Sequence, residues 1–191
     1  MRIMKVKRAI IILLIIGIIV VGGCVRYPDG HNGNGETNYQ LIITVEVKGV
    51  INTSEGIYYI VLDADGKPET WPGDDVKFWE DDFYYVKLDG MGFYFAQVKD
   101  DVESIFDGGS FSENKIQATI ALSDLEDQNS IDINVLTTDS DNNTYDYLDP
   151  YFTINTDLSS SKNITDTEGD SGDGGADFDI VEVTAVVTTL Y

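Results

Sequence analysis

Apolar and polar residues alternate one by one along this chain, in short runs broken by turn-forming residues, and no other feature constrains the fold as much. Leu41, Ile43, Val45 and Val47 fall on one side of the first such run, Thr44, Glu46 and Lys48 on the other. Successive side chains of an extended backbone point to opposite faces, so period two predicts a strand with one face buried. A second strand, Ile57-Tyr-Tyr-Ile-Val-Leu62, stops at Asp63-Ala-Asp-Gly66, where Asp and Gly favour a turn. Phe83 to Leu88 and Phe93 to Lys99 flank Asp89-Gly-Met-Gly92 and read as a β-hairpin. Alternation resumes at Ile116, Ala118, Ile120 and Leu122, then at Ile131, Ile133 and Val135, with Ser123 placed to cap a short helical turn between them. Asp139 to Asn143 turns the chain into a strand at Thr144 to Leu148, and a short extended piece follows Pro150 to Ile154. No segment holds a long helical period. The expectation is an all-β antiparallel β-sandwich of about seven to nine strands, its body spanning residues 39–155.

Residues 156–177 are mostly Ser, Asp, Gly and Thr with almost nothing apolar, which predicts a disordered acidic insert. Alternation then returns in residues 178–191, with Val181, Val183, Ala185 and Val187 on one face. A lone strand of this kind exposes a pairing edge, so it is expected to dock on the sandwich; a truncated second module is the alternative.

The N-terminus carries a different message. Arg2, Lys5, Lys7 and Arg8 precede an unbroken apolar run from Ala9 to Val21, the n-region and h-region of a secretory signal. The run ends in Val21-Gly22-Gly23-Cys24, which resembles the lipobox of bacterial and some archaeal lipoproteins. The resemblance implies a signal peptide of residues 1–23, cleaved just before Cys24, and a diacylglycerol on the Cys24 thiol. The alternative is an uncleaved spanning anchor, since Ala9 to Val25 is uncharged and ~17 residues is the lower limit for crossing a bilayer. Either way the positive flank stays inside and the rest is extracytoplasmic. Residues 24–38, rich in Gly and Asn, then form a flexible tether whose Arg26 to Asn38 stretch spans about 20 Å as a coil.

Cleavage removes four basic residues and no acid, leaving eight basic residues against 34 acidic ones, a net charge of −26. Such a surface repels nucleic acid and anionic headgroups, which leaves lipid as the means of holding the membrane. Aromatics at 11% and many β-branched residues still supply a core, so the acidity is not a sign of overall disorder.

From about Gly56 to Ile154 the order of features resembles the β-sandwich superfamily of DOMON domains and family-nine carbohydrate-binding modules. The pieces that carry the likeness are Tyr58-Tyr-Ile-Val-Leu-Asp63 followed by Asp65, the Trp71-Pro72 loop, the aromatic hairpin, Ala121-Leu-Ser-Asp-Leu125 and Asp146-Tyr-Leu-Asp149. The resemblance implies a sugar-binding, haem-binding or interaction module. Haem is not expected, because His31 lies in the tether and the only methionine beyond the signal is Met91, in a turn. Nor is a nucleotide.

Catalysis by a Ser-His or Cys-His pair needs a base that this body lacks, since the one histidine is His31 and the one cysteine is Cys24. A His or Cys zinc site fails for the same reason. The chain is read as no enzyme, although a glycosidase would need only two carboxylates facing one cleft. Calcium wants several oxygen ligands, and Asp63, Asp65, Asp74 and Asp75 crowd one loop region. The EF-hand pattern fails there because Lys67 takes the fifth position, so an irregular calcium site competes with ordinary turn residues. Trp71 and Trp79 flank the Pro72-Gly-Asp-Asp75 loop and are the candidate sugar-stacking rings; the competing expectation is that aromatics of these strands fill the core. The functional expectation is a lipid-anchored module that binds polysaccharide or an envelope protein at the cell envelope. The alternative is a structural or adhesion component of the envelope with no small-molecule site.

Overall fold

The computed structural model describes residues 38–64, 76–100, 102–166 and 174–189. Twelve strands follow one another along the chain: β1 (Tyr39–Val47), β2 (Ile57–Asp63), β3 (Tyr84–Asp89), β4 (Gly92–Gln97), β5 (Ser104–Ile105), β6 (Gly109–Ser112), β7 (Lys115–Ala121), β8 (Ser130–Thr138), β9 (Thr144–Tyr147), β10 (Phe152–Asn155), β11 (Ser161–Thr165) and β12 (Ile180–Thr189). They build two antiparallel sheets. The first runs β11-β12-β1-β7-β6, and the second β10-β8-β2-β3-β4-β5 with β9 also beside β8. Only short 3-10 turns interrupt the strands among the described residues, and no helix there is long and apolar enough to cross a membrane.

The all-β sandwich read from the alternation is therefore the fold, with more strands than expected. The three additional ones, β5, β6 and β11, each lie at the edge of a sheet. Edge strands lack a neighbour on one side and bury little, so Ser104-Ile105, Gly109 to Ser112 and Ser161 to Thr165 have short polar sequences with no apolar period to read. β11 corrects the reading of residues 156–177 as wholly disordered, because Ser161 to Thr165 pair with β12 from Val186 to Glu182.

Residues 178–191 do more than dock. β12 lies inside the first sheet, paired with β1 on one side and β11 on the other. Its buried residues are Ile180, Val183, Ala185 and Val187. Ile180 takes the place expected of Val181 because the β1–β12 register shifts between Glu46 and Val47, so Val47 faces Ile180 while Glu46 faces Glu182. One extra residue in β12 reverses which side chains point inward beyond that point.

The main core fills the space between the sheets. β1 contributes Leu41, Ile43, Val45 and Val47, each 1% exposed or less, and β2 contributes Tyr58, Ile60 and Leu62 from the opposite side. β1 keeps its other face open, whereas β2 buries nearly every residue. The difference arises from a second, smaller cluster on the outer face of the second sheet, where Trp79 and Phe83 cover Tyr59, Val61 and Leu136. Backbone bonds hold this cover down: Phe83 carbonyl accepts from Val98 N–H at 2.8 Å, and Asp81 carbonyl from Lys99 N–H at 3.0 Å.

Candidate functional site

The outer face of the second sheet carries the residues of chemical interest. Tyr59 on β2 and Tyr85 on β3 are brought side by side because Val61 pairs with Tyr85 in the antiparallel register, which leaves Tyr59 and Tyr85 diagonal neighbours on one face. Trp79 descends onto both. Its ring meets Tyr59 edge-on at 5.3 Å and 88°, and Tyr85 at 5.7 Å; the two tyrosines are 6.0 Å apart. Arrangements of this kind match positive ring edges to negative faces. Beside the trio lies a groove of about 410 Å³ lined by Tyr59, Val76, Trp79, Tyr85, Val98 and Glu103.

One charged side chain, Glu103, lines this groove, and it ties into a small network behind the wall. The Tyr85 hydroxyl donates to Glu103 at 3.3 Å, and Lys87 forms ion pairs with Glu103 and with Asp89, the latter at 3.3 Å. The Lys87 ammonium also sits 4.7 Å above the Tyr94 ring, its cross-strand partner. Burial alone would lower the Lys87 pKa, but Glu103 and Asp89 outweigh it and hold the pKa raised. Tyr59 donates its hydroxyl to Asn142 at 3.0 Å; burial, with Glu103 nearby, raises its pKa and keeps the phenol neutral. The groove thus combines aromatic and aliphatic side chains with one carboxylate, that of Glu103, which Lys87 pairs from behind.

Trp79 is 8% exposed, so it is mainly a supporting ring of this cluster, as the competing core expectation has it, while its edge still lines the groove. Tyr85, half-buried, presents more of its ring to the groove. Trp71, Asp65, Asp74, Asp75 and Cys24 lie outside the described residues.

The remaining candidate, Asp63, ends β2 on the same outer face, four residues and about 13 Å beyond Tyr59. It is 2% exposed and directly faces Asp132 of β8, which is 3% exposed. The Thr153 hydroxyl donates to Asp132, and fully buried Asn134 follows two residues along the same face. Cross-strand partners hold their Cβ atoms ~5 Å apart, so two carboxylates share one buried spot. Alternation alone would place Asp132 and Asn134 in solvent. The overlooked signal was the unbroken apolar run of β2, which requires cover on both faces of the sheet at its neighbours too. Among the described residues no group of three or more His, Cys, Asp or Glu is arranged to hold a metal.

Compared with known proteins, the chain matches no family model, no curated protein and no solved structure.

Proposed function

We propose that this is a non-catalytic binding module of the cell envelope, held at a membrane by lipid on Cys24, that takes polysaccharide in the aromatic groove on the outer face of its second sheet. The observation that carries the reading is the groove itself: half-buried Tyr85, backed by Tyr59 and Trp79, supplies a flat apolar ring, and Glu103, held by Lys87, supplies a hydrogen-bonding group at its wall. The DOMON and family-nine resemblance of residues 56–154 favours the same ligand class, and the signal-like N-terminus ending at Cys24 favours the same location. Glycan-array binding by the soluble part of the chain, residues 25–191, tests it. A hit that weakens in Tyr85→Ala, with folding retained, supports the reading; no binding to any glycan sinks it.

Calcium belongs to the proposal as a structural ligand. Asp63 would hold it with Asp65, Asp74 and Asp75, which follow it in the chain, and Asp132 stands opposite Asp63 to share the charge. Hard oxygen ligands of this number suit calcium. The second reading, a structural or adhesion component with no small-molecule site, is favoured by one observation, the burial of Trp79. It predicts that Tyr85→Ala changes stability alone.

A further inference from the structure

Away from the groove, three polar side chains form a row across the inner face of the second sheet. Tyr58 on β2 pairs with Thr137 on β8, and Thr137 pairs with Asp146 on β9. Each reaches across the sandwich to the backbone that leads into β12. The Tyr58 hydroxyl donates to Asp177 carbonyl at 2.9 Å, the Thr137 hydroxyl donates to Phe178 carbonyl at 2.8 Å, and Asp146 Oδ2 accepts from Ile180 N–H at 2.7 Å. The same stretch is seated tightly, with Phe178 stacked on Tyr58 at 5.4 Å and packed on Tyr145 at 5.0 Å. A side chain at Gly56 would run into the Phe178 ring, since its Cβ would lie 2.4 Å away.

We propose that this row is a proton-operated clasp: with Asp146 protonated it locks the entry of β12 between the sheets, and with Asp146 ionised it loosens that entry.

The geometry selects Asp146 as the operating member. Threonine does not titrate, and burial pushes the Tyr58 phenol up to about 12, so neither changes state near neutrality. Asp146 is 6% exposed and carries a carboxylate into the gap between two sheets. Two charged groups act on it, Asp166 and Asp179. Asp166 follows β11, Asp179 precedes β12, and Lys48 follows β1 and is committed to Asp179 at 2.8 Å. Asp177 directs its carboxylate elsewhere, to Val50 N–H at 2.9 Å. Burial first, and then the charges of Asp166 and Asp179, raise the Asp146 pKa to about 7, against the pull of the Ile180 and Tyr147 amides. A protonated carboxyl still accepts from Ile180 N–H through its carbonyl oxygen and adds a donor. The sign follows from linkage. A folded-state pKa above the ordinary value of 3.8 means a contribution present in full at acid pH and lost as pH rises through about 7.

Hydrogen exchange of the backbone amides from Phe178 to Val187, measured on the full chain in detergent and corrected for intrinsic rate, tests the clasp. Between pH 5 and 7 the wild type should lose protection about ten-fold or more and then level off, since each pH unit between the two pKa values weakens closure up to about ten-fold. Asp146→Asn keeps an acceptor for Ile180 without the charge and should flatten this profile. Asp166→Asn leaves the clasp intact but removes a raising charge, and should move the levelling point to lower pH. A flat wild-type profile, a step that survives in Asp146→Asn, or a levelling point unmoved in Asp166→Asn would each overturn the proposal.

Discussion

β1 and β2 lie on opposite sides of one core and differ in what their outer faces meet. β1, inside the first sheet, alternates half-buried and buried residues from Gln40 to Val47, and its outer face of Thr44 and Glu46 reaches solvent, Glu46 being paired to Lys115 at 2.9 Å. β2, inside the second, is buried on both sides, because Trp79 and Phe83 close over Tyr59 and Val61. A sheet with one wet face is scaffold, and its sequence can stay simple. A sheet whose outer face is also covered has the material for a site: rings with fixed geometry, buried carboxylates and a groove where the cover ends.

The comparison breaks most severely at β12. Because this strand sits between β1 and β11, removing residues 178–191 strips an inner strand from the first sheet and exposes one edge of β1. Ile180, Val183 and Val187 alone are each worth ~1.5–3 kcal/mol of burial, enough in sum to consume the stability of a small domain. Truncation after Asp177 should therefore yield an unfolded chain by circular dichroism; a cooperative melt near the wild-type temperature would show that β12 is dispensable.

Trp79→Ala comes next. A buried aromatic ring lost from the outer cluster costs about 3–5 kcal/mol, whereas Thr44→Ala on the open face of the first sheet should stay within about 0.5 kcal/mol. Equal, small losses in denaturant titrations would erase the distinction between the two faces. pH enters through Asp146: wild-type melting temperature should fall from pH 5 to 7.5 more than that of Asp146→Asn, in the direction set by a folded-state pKa raised to about 7. Parallel curves would assign the whole effect to general acidic repulsion. The smallest effect expected is that of calcium. A site of ~0.1 mM affinity at ~1 mM ion adds about 1.4 kcal/mol, visible as a melting shift in calcium beyond that in magnesium at one ionic strength, and lost in Asp63→Asn with Asp65→Asn. Equal shifts in the two ions would mean screening alone.

Where burial is one-sided, the fold was legible residue by residue. Leu41 to Val47 face inward as their alternation predicts, and the β3–β4 hairpin closes at the Asp89 to Gly92 turn. The edges were not legible, since β5, β6 and β11 bury too little to need apolar residues. Val181 was misplaced because a bulge belongs to the pairing of two strands and leaves no mark in either sequence. The site was half legible. The aromatic content of β2 and β3 was legible, but Trp79, read as flanking a loop, packs into a cluster that only the register of Tyr59 and Tyr85 creates. Asp63 was named from its turn chemistry, and its cross-strand partner Asp132, 69 positions away, becomes visible only when β2 and β8 pair.

The central claim is that the covered face binds and the open face does not. Isothermal titration of an array-selected polysaccharide into wild type, Glu103→Gln and Thr44→Ala tests it most directly. Glu103 is exposed at the groove wall, so its neutral variant should fold normally, and loss of a charged hydrogen-bonding group should weaken binding about ten-fold or more. Thr44→Ala should bind as the wild type does. Affinity unchanged in Glu103→Gln, or lost in Thr44→Ala, would contradict the account.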